Sequence, residues 1–298
     1  MNNFKKNITF VIVSYNSGNV IEQCIESIDT SVKIIVVENS RNIKIKKNLE
    51  KKFSNVEVIV AEENLGYGKG NNLGLKKVVT KYAFILNPDA FLDKDCLEEL
   101  HKAVIAVQDN FTILAPNFNY NHGFFLEKAT GFNIKDYKNH NIQDKVKKVD
   151  YVLGFAMLIN LEKISLKQIF DEHFFLFLEE IDLCKRIKNE NGHVFIVKNA
   201  KVKHLEGQSP GKNLNVELCR QWHWMWSLFY YNKKHFGILA AYKVTIPKFL
   251  SSIYKSLIGL IFFKKEKYLT YKYRVLGLIA AYRGKGSWIR PQDTNISF

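Results

Sequence analysis

The sequence predicts an α/β protein with a mostly parallel sheet, flanking helices and a basic, amphipathic helical region towards its C-terminal end. Through the first half of the chain, short runs rich in β-branched residues alternate with segments of helical periodicity. This alternation is typical of parallel strands covered by helices. Polar residues follow each run, as they do where parallel strands end at a ligand-binding crevice. A late surplus of lysine and arginine predicts the basic region.

Four strands are expected in the first half of the chain. They are Ile8–Val13, Ile34–Val37, Val56–Val60 and Tyr82–Leu86. The polar segments that follow them are, in order, Ser14–Asn16, Glu38–Ser40, Glu62–Asn72 and Asn87–Asp89. Because the carboxyl ends of parallel strands meet at one edge of a sheet, these segments are expected to surround a single crevice.

Composition sets the broad class of the protein. The chain has 298 residues, of which 47% are hydrophobic, enough for one large domain or a domain with an appendage. Its four cysteines have no metal-like spacing and lie in segments with helical patterns, so reduced, mostly buried thiols are expected. They are Cys24, Cys96, Cys184 and Cys219. Met1–Asn7 is mostly polar and no secretory signal pattern follows it, which predicts a cytoplasmic protein.

The C-terminal region carries most of the net charge of +15, because 13 Lys or Arg between Lys233 and Arg290 stand against one acid, Glu266. One helical face collects apolar residues while Lys248 and Lys255 lie on the other, which predicts a helix in an anionic membrane surface. The apolar residues are Leu250, Ile253, Tyr254, Leu257 and Ile261. The alternative is a solvated basic face packed on the main domain. No stretch approaches the ~20 apolar residues that cross a bilayer, and no recognisable module supports nucleic-acid binding.

An aromatic run from Phe174 ends in three acids, Glu179, Glu180 and Asp182. The apolar pattern then resumes with helical spacing, so the acids are expected in the first turn of an amphipathic helix. The positive end of a helix favours ionised carboxylates. A carboxylate at the edge of a hydrophobic wall suits a general base that deprotonates a bound hydroxyl. The alternative is that the acids only cap the helix.

Two further segments offer chemistry. Asp89 with Asn87 directly follows a strand and would help to hold a hard divalent cation, or else forms a turn. The glycines of Asn64–Asn72 have the order G-x-G-x-G rather than the dinucleotide-binding fingerprint. They permit a close approach of the backbone to a ligand, and Lys69 offers a cation for phosphate.

Three single residues and one segment complete the candidates. Glu38, at the end of a strand, would accept hydrogen bonds from a ribose or a base, or is a turn residue. His204 is either a metal ligand or diphosphate contact, or a structural histidine. Gly154 is expected in the middle of a strand, where it allows a ligand to approach. Asn117–Lys148 is expected to form a mobile loop over the crevice.

Taken in order, these segments resemble the inverting, GT-A-fold glycosyltransferases of family 2, especially the rhamnosyltransferase-like branch. The resemblance covers roughly residues 8–235 and rests on Val13–Asn16, Val36–Ser40, Asn64–Asn72, Leu86–Asp89, Gly154–Met157, Phe170–Cys184 and His204. It implies a Rossmann-like GT-A catalytic domain at residues 1–235, followed by the basic helical region at residues 236–298.

The resemblance also implies roles for the site residues. A nucleotide-sugar donor would bind with Mg²⁺ or Mn²⁺ at its diphosphate, held by Asp89 and His204. Glu180 would be the catalytic base, and Glu179 and Asp182 would position the acceptor or shape the helix. The donor-binding residues would be Tyr15, Asn16, Glu38, Asn39, Asn64, Gly66, Lys69, Asn72, Asn87 and Gly154.

Four positions depart from the family's usual pattern. Glu38 and Glu180 each stand in place of an aspartate and lengthen the side chain by one methylene. At Glu180 the extra length either suits the base role or shifts that role to Glu179. Asn87 replaces an acid, as is normal in this branch, and weakens metal binding. Lys69 stands where the branch usually has a small residue, so it either assists the leaving diphosphate or is exposed.

The function that the resemblance implies is sugar transfer in the synthesis of a bacterial surface polysaccharide such as O-antigen or capsule. The donor expected first is dTDP-rhamnose, with a UDP-hexose as the alternative. The acceptor would be a saccharide or a polyprenyl-diphosphate-linked glycan at the inner face of the cell membrane, where the basic region would dock. A nucleotidyltransferase, or a catalytically inactive carbohydrate-binding or scaffold protein on the same fold, are the other readings.

Overall fold

The computed structural model describes residues 1–117, 145–164, 168–205 and 213–294. These residues fall into two compact units. The first unit contains residues 1–117, 145–164, 168–171 and 179–205, and the second contains residues 172–178 and 213–294. The predicted α/β class is confirmed. The division into domains at residues 235 and 236 stays a prediction.

The first unit contains a mixed sheet with helices on its faces. Its strands are β1 Ile8–Ser14, β2 Lys33–Glu38, β3 Val56–Val60, β4 Tyr82–Leu86, β5 Ala90–Leu92, β6 Ile113–Asn117, β7 Val146–Lys148, β8 Ala156–Asn160 and β9 Val194–His204. Its helices are α1 Asn2–Lys6, α2 Gly18–Glu26, α3 Ile43–Lys52, α4 Gly66–Leu75, α5 Cys96–Ala106 and α6 Glu179–Asn189. All four strands expected from the sequence are present, with ends that agree to within one residue.

The sheet is parallel on the side where the sequence predicted it to be. Its strand order is β3-β2-β1-β4-β8-β6-β9-β5, with β7 paired to β9. The pairs β1–β2, β2–β3 and β1–β4 are all parallel. Ser14 stands opposite Glu38 at the ends of β1 and β2. Strand β8 then runs antiparallel to β4. The polar segments after β1, β2 and β4 therefore lie at one edge of the sheet, as expected.

The core of the first unit lies on both faces of this sheet. Strands β1, β2 and β4 are nearly continuous apolar runs, which is the composition of strands covered on both sides. The rings of Phe10 and Phe84 stack across β1 and β4 with centroids 4.6 Å apart. The four cysteines lie in helices and are buried and reduced, as the sequence predicted.

The glycines of Asn64–Asn72 lie in helix α4, where Gly70, like Gly74 further along the helix, serves the packing against the sheet. A Cβ atom on Gly70 would lie 3.0 Å from Val13, and one on Gly74 would lie 2.5 Å from Val11 and 3.2 Å from Val37. The spacing therefore brings a helix close to β1 and β2. The expectation of a ligand-cradling glycine loop is corrected at Gly70, because side-chain atoms of the sheet occupy the space beside it.

The described part of the second unit contains three long helices, α7 Leu214–Phe236, α8 Ile238–Ile261 and α9 Lys265–Tyr282. Its core collects the aromatic side chains of α7, including Trp222, Trp226 and Phe229, together with Leu278 of α9. Gly277 of α9 lies so close to the carbonyl group of Trp222 that a Cβ atom would overlap it. Helices α7 and α9 therefore pack with close backbone contact.

Helix α8 corrects one expectation. By length and composition, it is the helix among the described residues that could cross a membrane, with a mean hydropathy of 1.2 in its most apolar window. The sequence was expected to hold no such segment because its uninterrupted apolar runs are short. In the structure, one continuous helix joins these runs across the lysines that separate them. Such a helix is weak evidence for a membrane span.

Replacement of Gly74 by alanine is expected to destabilise the first unit. The new methyl group would overlap Val11 in a packed interface, and overpacking of this kind costs about 1–3 kcal/mol. Urea denaturation followed by circular dichroism measures the change. The control is Gly18→Ala in the first turn of α2, where a Cβ atom meets no heavy atom of the described chain within 4 Å. Equal stability of the two variants would contradict the packing role of Gly74.

Candidate active site

The ends of β1 and β2 bring together buried polar groups. Glu38 is fully buried, and its Oε1 atom accepts hydrogen bonds from the backbone N–H of Ser40 at 2.7 Å and from the Ser40 hydroxyl. Its Oε2 atom is also buried and has no hydrogen-bond partner among the described residues. The same holds, within the described chain, for Oγ of Ser14 and Oδ1 of Asn39. Adjacent strand ends therefore hold three buried polar atoms without a hydrogen-bond partner in the described chain.

Asn39 and Asn64 shape the start of helix α4. The side-chain amide of Asn39 donates to the carbonyl of Gly66 at 3.0 Å, and Oδ1 of Asn64 accepts from the Gly66 N–H at 3.0 Å. Gly66 has a φ angle of 75°, in the left-handed region that glycine adopts at little cost. These donor-site candidates thus hold a turn, and the Oδ1 atom of Asn39 has no hydrogen-bond partner among the described residues.

Tyr15 and Asn16 form the turn after β1. The hydroxyl of Ser17 donates to the Tyr15 carbonyl at 3.3 Å and accepts from the Tyr15 N–H at 3.2 Å. Asn16 has a φ angle of 52° and is exposed. Tyr15, which is half-buried, stands directly after the strand that carries Ser14. Its position therefore agrees with a contact to a ligand at the end of the sheet.

Asp89 and His204 form a pair at the end of β4. Asp89 is buried, and its Oδ1 atom lies 3.3 Å from Nε2 of His204. The Asn87 side-chain amide lies 3.5 Å from the same nitrogen. The pair is fixed by the backbone, because Ala90 and His204 are partners in the β5–β9 ladder and the Leu205 N–H donates to the Asp89 carbonyl at 3.0 Å.

The Asp89–His204 pair fits two ligands of one divalent ion. Adjacent ligands of an octahedral ion at ~2.1 Å lie about 3 Å apart, close to the 3.3 Å between these two atoms. A carboxylate oxygen suits Mg²⁺ and Mn²⁺, whereas an imidazole nitrogen suits transition metals better. The described residues contain no cluster of three or more His, Cys, Asp or Glu that could hold a metal. The remaining ligands would therefore come from a substrate or water.

The turn at Gly154 and Phe155 lies between the Asp89–His204 pair and the acids of α6. The Phe155 carbonyl accepts from the Asn87 N–H at 2.8 Å, and its ring stacks on His204 with centroids 4.7 Å apart. On the other side, a Cβ atom on Gly154 would lie 3.3 Å from Cβ of Glu180. Gly154 lies in the turn before β8, so its expected mid-strand position was wrong. The turn is where the antiparallel strand β8 begins.

Glu180 stands beside this turn together with Tyr67, a residue that the sequence analysis did not select. The Tyr67 hydroxyl donates to the Gly154 carbonyl. Burial raises the pKa of Tyr67 well above its ordinary value, and the negative charges of Glu180 and Glu179 add to the effect. Glu180 itself is half-buried, which leaves part of its side chain accessible. A half-exposed carboxylate beside a glycine turn is suited to accept a proton from a bound hydroxyl.

Glu179 differs from its neighbour because it is buried. It is 3% exposed, and its Oε2 atom has no hydrogen-bond partner in the described ranges. Burial raises the pKa of Glu179 well above its ordinary value, with further contributions from Glu180 and Asp182. A carboxyl group of raised pKa next to another carboxylate is a frequent feature of catalytic sites, although structural networks also produce it.

Asp182 takes part in a structural ion pair. It is fully buried, and its Oδ2 atom accepts from Nε of Arg186 at 2.8 Å. The guanidinium of Arg186 also donates to the carbonyls of Gln168, at 3.3 Å, and Ile169. This geometry supports the helix-shaping role that the resemblance implied for Asp182, and it links α6 to the segment before Asp171.

The remaining two donor-site candidates have other partners. Asn72 holds the backbone of Phe170 on both sides, with its amide donating at 2.8 Å and its Oδ1 atom accepting at 3.0 Å. Lys69 is partly exposed, and its ammonium group lies 3.5 Å from Glu63. The structure therefore gives Asn72 a packing contact and Lys69 a surface ion pair.

Backbone strain lies directly before the acids of α6. Phe177 and Leu178 have φ angles of 71° and 70°, which non-glycine residues rarely adopt. Such conformations cluster at active sites and ligand clamps. No sequence signal marks them. The aromatic residues Tyr67, Phe155 and Phe170 were missed for a different reason, because an aromatic residue in a buried pattern is usually a core residue.

Comparison with known proteins gives one family. The profile described as Glycosyl transferase family 2 matches residues 9–162. The low-salt glycan biosynthesis hexosyltransferase Agl10 of Haloferax volcanii is 25% identical over 199 residues, which cover 62% of this chain and 62% of that protein. Rhamnosyltransferase WbbL of Escherichia coli K12 is 25% identical over 205 residues, or 60% of this chain and 76% of WbbL.

The match is partial for some relatives. Glycosyltransferase GlyA of Streptococcus pneumoniae is 24% identical over 175 residues, and the match spans 25% of its length. The chain thus spans less than two thirds of Agl10 and of GlyA.

Solved structures share the fold at low identity. TarS 1–349 of S. aureus aligns with a TM-score of 0.51 at 12% identity, over 93% of this chain and 92% of that one. A mannosyltransferase of Pyrobaculum calidifontis, solved with GDP-Man and Mn²⁺, aligns with a TM-score of 0.55 at 11% identity, over 95% of this chain and 89% of that one. These similarities support the GT-A-type fold.

Replacement of Glu179 by glutamine is expected to stabilise the protein at neutral and alkaline pH. The pKa of Glu179 is higher in the folded state than its unfolded value of about 4.3. Above that pH the folded state therefore holds more protons than the unfolded state does. The free energy of unfolding therefore falls with rising pH, and the amide removes this cost. Each kcal/mol gained raises Tm by about 2–4 °C for a domain of this size.

Thermal melts of the wild-type protein and the Glu179→Gln variant between pH 4 and 8 measure this effect, since the expected gain in Tm grows with pH. The matched control is Glu62→Gln, because Glu62 is exposed. A gain that is the same at all pH values, or that equals the control, would argue against a buried, protonated Glu179.

Proposed function

The chain belongs to glycosyl transferase family 2, and on that premise we propose that it transfers a sugar, with inversion, from a nucleotide-diphosphate donor to an acceptor hydroxyl. The proposal concerns the crevice at the carboxyl ends of β1, β2 and β4. It assigns the nucleoside to the ends of β1 and β2, the diphosphate to the end of β4, and the acceptor to the side of Glu180.

One observation carries the proposal most directly. Oε2 of Glu38 is a buried carboxylate oxygen with no hydrogen-bond donor in the part of the chain that the structure describes. Leaving such an acceptor unpaired is costly, and a ligand that supplies the hydrogen bond removes the cost. Ribose hydroxyls and base N–H groups are the donors that an acid at the end of a second parallel strand usually binds. Oδ1 of Asn39 and Oγ of Ser14 offer further acceptors beside it.

The Asp89–His204 pair suits the diphosphate. When bound there, Mg²⁺ or Mn²⁺ would neutralise the negative charge that builds up on the departing nucleoside diphosphate. Asp89 and His204 would hold it, with their relative positions fixed by the β5–β9 ladder. The ring of Phe155 stacks on His204 and so fixes the orientation of the imidazole. A fixed, partly buried pair needs little rearrangement when charge develops.

Glu180 is the proposed catalytic base. Its position next to Gly154 puts it across the Gly154–Phe155 turn from Asn87 and His204, so a sugar could lie over this turn. Glu180 would take the proton from the acceptor hydroxyl as its oxygen attacks the anomeric carbon, and the bond to the diphosphate breaks on the opposite face. Burial raises the pKa of the neighbouring Glu179, which favours its neutral form and so disfavours a second negative charge near Glu180.

The finer assignment follows the resemblance. We propose dTDP-rhamnose as the donor, which agrees with the similarity to rhamnosyltransferase WbbL, and a UDP-hexose as the alternative. The proposed acceptor is a saccharide or a polyprenyl-diphosphate-linked glycan in bacterial surface-polysaccharide synthesis. The enzyme would act in the cytoplasm at the inner face of the cell membrane, where such lipid-linked acceptors are accessible.

The Glu180→Gln variant is expected to lose transfer by about 10²–10⁴-fold. It would still bind the donor, because the amide keeps the shape of the side chain. Product formation from a panel of sugar nucleotides with Mg²⁺ or Mn²⁺ measures the loss, and calorimetry measures donor binding. The control is Glu190→Gln, because Glu190 is exposed just beyond the other end of α6. Unchanged turnover in Glu180→Gln would remove Glu180 from the base role, and no turnover of the wild-type protein with any donor and acceptor would favour a binding or scaffold protein.

The Asp89→Asn variant is expected to weaken donor binding in the presence of Mn²⁺ and to leave metal-free binding nearly unchanged. The reason is that the amide has no negative charge to hold the cation. Titration of the nucleoside diphosphate with and without Mn²⁺ measures the difference. Asp93→Asn, at an exposed position three residues after β5 begins, is the control. Equal metal dependence in Asp89→Asn and the wild-type protein would contradict the proposed site.

A further inference from the structure

Helix α8 exposes many of its large apolar residues, which a helix of a water-soluble bundle usually buries. Its buried residues are small or polar, namely Ala241, Thr245, Ser252 and Gly259. Tyr242 and Phe249 pack against the core of the second unit. Other large apolar residues face outward, with exposed fractions of 81% for Leu239, 60% for Leu250, 65% for Tyr254, 53% for Leu257 and 66% for Ile261. In soluble proteins the wide apolar face of a helix is the one that packs on the core.

The buried face of α8 makes specific contacts within the second unit. Thr245 accepts a hydrogen bond from the Tyr282 hydroxyl at 3.0 Å. A Cβ atom on Gly259 would lie 2.6 Å from the backbone nitrogen of Tyr268. Helix α9 therefore runs antiparallel along α8 between Thr245 and Gly259. Small residues at a helix contact with large apolar residues outside are typical of helices that are surrounded by lipid.

The apolar face continues beyond the end of the helix. Phe262 is 65% exposed and Phe263 is 94% exposed, and three exposed lysines, Lys264, Lys265 and Lys267, follow them. Aromatic side chains next to lysines are suited to a membrane–water interface, where the rings enter the headgroup region and the ammonium groups meet lipid phosphates.

We propose that α8, together with the Phe262–Phe263 tip, is a membrane-docking surface that lies in the plane of an anionic bilayer. This surface, the α8 face, consists of Leu239, Ile246, Leu250, Tyr254, Leu257, Leu260, Ile261, Phe262 and Phe263. The proposal deepens the membrane location given under the proposed function, but it rests on the packing of α8 and not on the transfer reaction.

The positive charge around the α8 face favours a bilayer, and not a second copy of the chain, as its partner. The region from residue 233 to residue 290 carries 13 Lys or Arg and one acid. Two copies that meet through the same face would bring these charges together, which opposes association. An anionic lipid surface attracts the same charges, with about 1 kcal/mol gained for each lysine or arginine near it in typical cases.

The composition of the neighbouring helix α9 favours an α8 that lies in the plane of the membrane rather than one that spans it. Because α9 packs against α8 between Thr245 and Gly259, a span would take both helices through the bilayer. Helix α9 carries Lys272 and Arg274 near its middle, and charged groups at the bilayer centre are costly. An in-plane helix leaves α9 on the water side and buries only the α8 face.

The first experiment is flotation with vesicles of phosphatidylcholine alone or with about 30% phosphatidylglycerol, a range in which anionic lipid gives a strong surface potential. The full chain is expected to float with the anionic vesicles at low salt and to be released as salt is raised. The double variant L250Q/L257Q is expected to bind about tenfold or more weakly, because two apolar side chains no longer enter the bilayer.

A matched control keeps the result specific. Ile105→Gln changes an apolar residue that is 64% exposed in the first unit, and it is expected to bind vesicles like the wild-type protein. Circular dichroism shows whether each variant is folded. A wild-type protein that stays in solution with anionic vesicles, or a double variant that binds as well as Ile105→Gln, overturns the proposal. Dimers that the double variant abolishes, without vesicle binding, would assign the face to a second copy.

Depth measurements separate the two membrane orientations. Spin labels on L239C, L250C and I261C are expected at one similar, shallow depth, about 5–10 Å into the headgroup and acyl boundary. A label at residue 250 that is much deeper than those at residues 239 and 261 would show a span and overturn the in-plane orientation. These assays need no turnover, so their failure and the failure of the transferase assignment are distinguishable.

Discussion

The close approach of helix α4 to the sheet is the contact on which the candidate site depends. Gly70 and Gly74 carry no side chain, so the backbone of α4 packs directly on the valine side chains of β1 and β2. The same helix then places the Tyr67 hydroxyl on the Gly154 carbonyl and the Asn72 side chain on the backbone of Phe170. Without that approach, neither contact could form. One helix–sheet packing distance therefore fixes groups that are 87 and 98 residues apart in the chain.

The site concentrates carboxyl groups where burial is costly. Glu38, Asp89, Glu179 and Asp182 are all buried. Asp182 is compensated by Arg186 and Asp89 by His204, whereas Glu38 and Glu179 each keep one oxygen unpaired among the described residues. A fold selected for stability alone has little reason to retain such groups. Unpaired buried oxygens of this kind are typical of functional sites, which agrees with the proposed donor site.

The sequence predicted the strands and helix that surround the site better than the side-chain contacts within it. The four parallel strands and the acidic first turn of α6 followed from apolar periodicity and strand-end polarity, both of which are local signals. The Asp89–His204 pair was expected only through the family resemblance, because the β5–β9 ladder that joins the two residues spans 114 positions. The contact of Tyr67 with Gly154 has no local signal at all. The segment expected to form a loop over the crevice lies, for residues 118–144, outside the described residues.

The same limit applies to α8. Periodicity identified its apolar face, but a periodic pattern does not say which face meets the protein and which meets the surroundings. The small residues that pack on α9 became informative only when their positions were seen next to Tyr268 and Tyr282.

The buried thiols have a practical consequence for labelling chemistry. Burial raises the pKa of Cys96 and of Cys184 to about 12, and it also raises the pKa of Cys24. Thiolates are the species that react with maleimides and iodoacetamide, so these native sulfurs should be inert in the folded state. A single cysteine introduced on the surface can then carry a fluorophore or a crosslinker without a cysteine-free background.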